Sequence, residues 1–105
     1  MDKVAVLSAV RRLAAAMASH GIRADRMVLF GSWVAGTATR DSDIDLVVIS
    51  SDFEGKSRWE RIEALAAAHA EVFEPFDLVA MTPAEWTSRK SMIVDYAEKG
   101  EVLYG

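Results

Sequence analysis

The sequence contains no cysteine, only two histidines and no long uninterrupted apolar run. Without cysteine the chain can form neither a disulfide framework nor a thiolate metal site, which fits a reducing cytoplasm. Two distant histidines do not supply the ligand set of a zinc site. No apolar run approaches a membrane span, and Met1-Asp2-Lys3 leads into an amphipathic pattern rather than a secretory leader. We therefore expect a cytoplasmic protein without a membrane partner.

Positive charge is also scarce. Twelve lysines and arginines face sixteen acidic residues, which gives a formal net charge of -4. A nonspecific nucleic-acid binder is expected to be basic, so we expect no direct contact with nucleic acid. An acidic chain that handles phosphates must obtain positive charge from a metal ion or from a few local arginines. With 105 residues, 51% of them hydrophobic, residues 1–105 are expected to form one small domain with a single core.

Helical and strand patterns alternate along the chain. Apolar residues at helical spacing predict several helices. Gly21 suits the C-terminal cap of the first helix, and Thr82-Pro83 is typical of the start of a later one. These helices are predicted at Val4–His20, Ser32–Gly36, Ser57–Val72, from Thr82 onward, and at Ser91–Glu98. In the helix over 57–72 the predicted apolar stripe consists of Trp59, Ile62, Ala66 and His69. Short apolar runs predict strands at Arg26–Phe30, Asp43–Ile49 and Phe76–Met81, and Val102–Tyr104 is a short apolar terminal segment. The alternation predicts an α/β fold with a small mixed β-sheet flanked by helices, since the short first connection allows antiparallel pairing.

The most informative segment joins Leu29-Phe30-Gly31-Ser32 to Asp43-Ile44-Asp45 across ten residues. Alternate side chains of a strand point the same way, so Asp43 and Asp45 share one face. Two adjacent carboxylates repel unless a cation or water lies between them. Magnesium accepts oxygen ligands from one or two carboxylates plus substrate phosphates. Gly31 allows close approach of the backbone to a phosphate, and the helix after it offers free amide donors. The segment therefore predicts a metal-dependent nucleotide site.

A third carboxylate, Asp77, lies inside the predicted third strand. An ionised group in so apolar a segment needs a partner. If this strand lies beside the second, Asp77 completes a cluster with Asp43 and Asp45 that suits one or two divalent ions. One of these carboxylates could also help to deprotonate an attacking hydroxyl. The alternative is a structural ion pair between Asp77 and an arginine such as Arg26.

Other residues near these motifs have structural as well as functional interpretations. Ser32 can cap the short helix through its hydroxyl, bind phosphate, or do both. Trp33 can stack on a base, but packing on the core or on a partner is favoured. Trp59 and Trp86 are interpreted as core or interface residues, and His69 as a packing or partner contact. The helix arginines are interpreted as solvated charges, with partner contact as the alternative: Arg11, Arg12, Arg58 and Arg61.

The combined pattern resembles the nucleotidyltransferase superfamily related to DNA polymerase beta. It consists of Gly31-Ser32, the ten-residue gap, Asp43-Ile44-Asp45, Asp77 on a later strand and an ending over 98–104. The short chain resembles the minimal nucleotidyltransferases, the MNT family, and this implies the nucleotidyltransferase fold. The resemblance also implies that Asp43, Asp45 and Asp77 bind Mg²⁺ and act in catalysis, while Gly31 and Ser32 hold the phosphates of ATP.

Many members of that family are antitoxins of a HEPN-domain ribonuclease toxin. Members studied as enzymes transfer AMP from ATP to a tyrosine of the toxin, which silences it. The resemblance therefore implies a protein adenylyltransferase (AMPylation) of a toxin–antitoxin system, in a hetero-oligomer with its toxin. The chain is short for an enzyme with its own acceptor-binding domain, which also favours a protein acceptor over a small molecule. A free-standing small-molecule nucleotidyltransferase is the remaining enzymatic alternative.

One segment departs from the family pattern. The family commonly has a basic residue between the Gly-Ser pair and the next glycine, whereas this chain has Trp33-Val34-Ala35 before Gly36. Arg40, Lys56 and Arg58 are the candidates to replace the missing charge. The departure favours a second hypothesis, in which a non-catalytic antitoxin neutralises the toxin by binding and occlusion.

Overall fold

The computed structural model describes residues 2–39, 42–88, 94, 97 and 99–104. Helices and strands alternate as the sequence predicts. In chain order the elements are α1 (Lys3–Ser19), β1 (Arg26–Phe30), α2 (Ser32–Ala35), β2 (Ile44–Ile49), a 3₁₀ turn (Ser51–Phe53), α3 (Arg58–His69), β3 (Phe76–Met81), α4 (Pro83–Ser88) and β4 (Glu101–Tyr104). Of the helix predicted at Ser91–Glu98, only Val94 and Ala97 lie within the described residues, and both are helical and buried.

The four strands form one mixed sheet in the order β3-β2-β1-β4. β1 pairs antiparallel with β2 and with β4, while β2 and β3 are parallel. The predicted mixed α/β sheet is therefore confirmed, and β2 is central. The strand β4 was predicted only as an apolar segment. Gly100 brings it against β1, because a Cβ at this position would overlap with the Leu29 carbonyl oxygen.

The first helix shows how local chemistry sets the bounds of an element. Asp2 caps its N-terminus by accepting a hydrogen bond from the Ala5 amide at 2.9 Å. At its C-terminus Gly21 has a φ of +84° and donates to Ala18, and Ile22 donates to Met17. This pair of bonds is a Schellman motif, which confirms the predicted role of Gly21.

The sheet separates two groups of buried side chains. Alternation along β2 sends Ile44, Leu46 and Val48 to the larger core beneath α1 and α3. Val47 and Ile49 enter the smaller core on the opposite face, against which Trp86 packs. The two-sided burial explains why β2 is an unbroken apolar run after Asp45.

Helix α3 buries a different face from the predicted one. Ser57 and Glu60 form a capping box, so the helix starts one residue later than predicted, at Arg58. The predicted stripe is largely solvent-exposed, with Trp59 66% and Ile62 46% exposed. Leu65 and Ala68 are buried instead. Interpreting Trp59 as a core residue was therefore wrong, because packing against α1 selects the Leu65 side of the helix; its interpretation as an interface residue stays a prediction.

Arg61 is not the solvated charge that the sequence predicted. Its guanidinium lies 5.9 Å from the centre of the Phe53 ring and contacts Glu85 Oε1 at 2.6 Å. Its Nε donates to the Lys56 carbonyl at 3.2 Å. These contacts fasten the start of α3 to α4. His69, in contrast, packs edge-on against a ring as predicted, 5.5 Å from the centre of Phe76.

None of the described helices combines the length and the apolar character needed to cross a membrane.

Candidate functional site

The candidate site lies at the N-terminal ends of the two parallel strands. Asp45 on β2 pairs in register with Asp77 on β3, directly after the pair Ile44 and Phe76. Residues paired in register on neighbouring strands point to the same face, and neighbouring strands lie about 4.8 Å apart. The fold thus brings these two predicted carboxylates side by side, and Asp43 immediately precedes β2.

The charges of the three carboxyl groups act on one another. The pKa of Asp45 is raised above its ordinary value, chiefly because burial disfavours the charged form. The negative charges of Asp77 and Asp43 raise it further, as does a hydrogen bond with the Asp77 side chain. Asp43, Asp45 and Asp77 are therefore close enough to form one electrostatic unit, in which a cation would relieve repulsion.

The structure excludes Arg26 as the partner of Asp77. Arg26 pairs with Ile49 at one end of the β1–β2 ladder, whereas Phe30 pairs with Asp45 at the other. Among the described residues, none of the ion pairs includes any of the three aspartates. The negative charge at this end of the sheet is thus uncompensated by the described part of the protein.

Gly31 places the backbone of the turn after β1 directly against Asp45. Its φ of +74° and ψ of -147° lie in a region that favours glycine. A Cβ on Gly31 would overlap with Oδ2 of Asp45. The sequence predicted Gly31 as a phosphate contact, and the structure adds a second reason for a glycine: only a residue without a side chain leaves room for this carboxylate.

Ser32 is not the cap of the short helix. The N-cap of α2 is Gly31, and Ser32 is the first helical residue. The capping interpretation of the Ser32 hydroxyl was therefore wrong, and its role as a phosphate ligand stays a prediction. Because α2 has only four residues, a phosphate at this turn would depend on the local backbone amides more than on a helix dipole.

Trp33 packs against the larger core, as its structural interpretation predicts. Its Nε1 is buried and has no hydrogen-bond partner among the described residues. In the segment where the family pattern has a basic residue, this chain thus has a tryptophan that packs on the core.

Two of the proposed replacements for that charge lie at the wrong end of the sheet. Lys56 and Arg58 line a cavity of about 440 Å³ with residues 78–80 of β3. The Lys56 carbonyl accepts from Arg61, which pairs with Glu85 after the end of β3, whereas Asp77 lies near the start of this strand. Arg40, the third candidate, lies outside the described residues. Lys56 and Arg58 therefore do not supply the missing charge within one chain.

The carboxylates fit a hard divalent cation in chemical type. Magnesium binds oxygen ligands, commonly one or two carboxylates together with substrate phosphates, and Asp45 and Asp77 supply such a pair. Within the described residues, the structure shows no assembled set of three Asp, Glu, His or Cys side chains that could hold a metal ion. Asp45 and Asp77 are the pair in contact, and Asp43 acts on them through its charge. The assignment of all three as ligands stays a prediction.

Comparison with known proteins identifies the family. A sequence model of the nucleotidyltransferase domain matches residues 10–99. The chain belongs to this nucleotidyltransferase family, which is related to DNA polymerase beta. Among solved structures, a Sulfolobus solfataricus protein assigned as a nucleotidyltransferase aligns with 86% of this chain and 84% of its own, with a TM-score of 0.55. At 21% identity that likeness concerns the fold. A search of curated proteins found no match.

The family assignment gives the site its general chemistry. A nucleotidyltransferase transfers a nucleotide, so the paired carboxylates and the glycine turn belong to a transferase domain. The sequence identified Gly31 but missed its contact with Asp45. The antiparallel register of β1 and β2 would have been needed to find it, and two short strands connected through α2 do not fix that register.

Proposed function

We propose that residues 1–105 form a minimal nucleotidyltransferase domain that acts as an antitoxin. It transfers AMP from ATP to a tyrosine of a HEPN ribonuclease toxin and thereby silences it, in the cytoplasm and within a hetero-oligomer. The observation that carries the catalytic part is the in-register pair of Asp45 and Asp77, against which the Gly31 turn lies. The antitoxin role extends the resemblance stated for the sequence motifs.

Each site residue has a proposed role in this reaction. Asp43, Asp45 and Asp77 hold Mg²⁺, and Asp77 assists loss of the proton from the acceptor hydroxyl. Gly31 and Ser32 seat the β- and γ-phosphates through backbone amides and the free hydroxyl. The acceptor oxygen forms a bond to the α-phosphorus, and the bond to pyrophosphate breaks. Magnesium, when bound, neutralises phosphate charge and orients the leaving group.

The transfer is tested with purified protein, the HEPN toxin encoded beside it, radiolabelled ATP and magnesium. We expect label on the toxin, lost with Asp45→Asn and with Asp77→Asn. Glu85→Gln is the matched control, since it removes a carboxylate at the other end of β3. Absence of label with wild-type protein, or equal labelling by Asp45→Asn, would contradict the catalytic proposal.

A second candidate function is neutralisation of the toxin by binding alone. It is favoured by Trp33-Val34-Ala35 in place of basic residues and by the remote position of Lys56 and Arg58. Under this hypothesis the nucleotide site is degenerate and the antitoxin covers the ribonuclease site.

Protection of cells from the toxin separates the two functions. If catalysis is required, Asp45→Asn with Asp77→Asn abolishes protection although the complex still forms in a pull-down. If occlusion suffices, the double variant protects as well as the wild type.

A further inference from the structure

A continuous groove runs between α3 and the edge strand β3. Three adjoining cavities of about 440, 210 and 630 Å³ form it. The first two share Ile62, Leu78 and Ala80, and the last two share Ala66 and His69. We call this surface the β3 groove. It lies on the face of the sheet opposite the Asp45 and Asp77 carboxylates, so its role is independent of the nucleotide chemistry.

Both walls of the β3 groove carry exposed apolar surface. Ile62 on α3 is 46% exposed, Phe73 beyond the helix is 91% exposed, and residues 78–80 of β3 are partly exposed. β3 is an edge of the sheet, so within the described residues no strand pairs with its outer side. Natural edge strands are protected by charge, proline or a cover, and β3 has Pro75 and Asp77 at its start, but its remaining residues 78–81 are Leu-Val-Ala-Met. An apolar edge beside an apolar helix face indicates a protein interface.

The backbone of β3 offers a defined set of outward groups. Ile44 donates to the Pro75 carbonyl and Ser50 to the Met81 carbonyl, so odd-numbered carbonyls face β2. Successive residues of a strand alternate, which leaves the N–H and C=O groups of Phe76, Leu78 and Ala80 directed outward. Their side chains also face α3, because Phe76, Leu78 and Ala80 line the central cavity.

We propose that a second copy of this chain occupies the β3 groove, with the two β3 strands paired antiparallel around a two-fold axis at Leu78. This register places Leu78 opposite its own copy and Phe76 opposite Ala80, and every outward group then finds a partner. Opposed residues lie on the same face of the combined sheet, as antiparallel pairing requires. The two α3 helices then lie side by side and antiparallel.

The charges of the β3 groove suit such a self-complementary pair. Lys56 and Arg58 lie at one end, where Glu85 is paired with Arg61, whereas Glu71 and Glu74 follow α3 at the other. An antiparallel arrangement brings the basic end of each copy to the acidic end of the other, with Ile62 and Ala66 in the apolar centre. Glu71 and Glu74 also contact His20 and Arg12 of their own chain, yet their side chains keep 52% and 21% exposure. A parallel arrangement would oppose like charges.

Sedimentation equilibrium of the full chain, without nucleotide or toxin, tests this proposal. We expect the mass to rise with concentration from 11.5 kDa to twice that value. Ile62→Lys should weaken association by at least about tenfold, because it places two charges at the centre of the interface. Val4→Lys is the matched control: Val4 is 74% exposed on α1, outside the groove, so this variant should associate like the wild type.

A backbone variant distinguishes strand pairing from helix contact alone. Ala80→Pro removes an outward N–H and leaves the hydrogen bonds between β3 and β2 intact. The variant should therefore fold, which circular dichroism would show, but it should associate more weakly than the wild type. A wild-type protein that stays monomeric up to about 1 mM, the weak limit of specific association, would overturn the proposal. So would dimerisation unaffected by both Ile62→Lys and Ala80→Pro, since another surface would then form the dimer.

Discussion

The two ends of the parallel strand pair treat charge in opposite ways. At the start of β2 and β3, burial and the charges of Asp77 and Asp43 raise the pKa of Asp45, and the described part of the chain pairs none of the three with a cation. At the far end, Glu85 accepts from the Thr82 amide at 2.8 Å and pairs with Arg61 at 2.6 Å. The protein therefore satisfies its charges where they hold the fold together, and leaves them unsatisfied where a ligand is expected.

This contrast separates a site from a structural motif without knowledge of the ligand. A carboxylate whose pKa is lowered by its neighbours, as for Glu85, stabilises the folded chain. A carboxylate whose pKa is raised by burial and like charge, as for Asp45, costs stability and persists for another reason. The metal site proposed for Asp43, Asp45 and Asp77 supplies that reason, because a hard divalent cation requires oxygen ligands whose charge is not already compensated.

The largest expected effect comes from Asp45→Asn. The change should reduce AMP transfer by about a thousandfold, equal to about 4 kcal/mol of barrier. It should also raise the free energy of unfolding in EDTA, since repulsion with Asp43 and Asp77 is removed. Transfer kinetics and urea denaturation measure the two effects. A variant that is both active and less stable than the wild type would show that the carboxylates are not a destabilised site.

Gly31→Ala is expected to have the next largest effect, on stability. Positive φ alone costs an alanine about 1 kcal/mol, and the overlap with Asp45 should bring the total to about 3 kcal/mol. Gly55→Ala is the matched control, because Gly55 has a φ of +77° and open space around its would-be Cβ. Combining Gly31→Ala with Asp45→Ala should recover the excess. Equal destabilisation by the two glycine variants in urea melts would contradict the close contact with Asp45.

The sequence predicted the sheet better than it predicted the surfaces. β1 and β3 have the predicted bounds, because both are short apolar runs between polar or helix-starting residues. The sequence predicted that Asp77 joins the cluster if the third strand lies beside the second, and the structure adds the register that pairs Asp77 with Asp45. The sequence did not predict which face of α3 is buried. Trp59 and Ile62 form one row at helical spacing and Leu65 and Ala68 form another, and only packing against α1 distinguishes the two rows. The exposed apolar row was thus mistaken for core.

Glu85→Gln should have a smaller effect, confined to stability. The Thr82 amide, then Arg61, lowers the pKa of Glu85. A carboxyl group whose pKa is lower in the folded than in the unfolded state stabilises the folded protein at pH values above its unfolded-state pKa. This contribution is lost as the pH falls through the folded-state pKa. We expect a loss of about 0.5–1 kcal/mol at pH 7, at the low end because Glu85 is half exposed. The difference should disappear in acid, as the pH falls through the folded-state pKa. Thermal melts across pH would detect it; a difference that persists in acid would argue against this origin.

The smallest expected effect is that of Arg58→Ala on nucleotide binding. Arg58 lines a cavity on the α3 side of β3, whereas Asp45 and Asp77 face the other side of the sheet, and exposed charges without direct contact are weakened by physiological salt. The KM for ATP should therefore change less than about twofold, the size of ordinary surface effects, whereas Ser32→Ala should raise it more. Steady-state kinetics of both variants at one protein concentration provides the comparison. A large increase in KM with Arg58→Ala would mean that a basic residue reaches the carboxylate end after all.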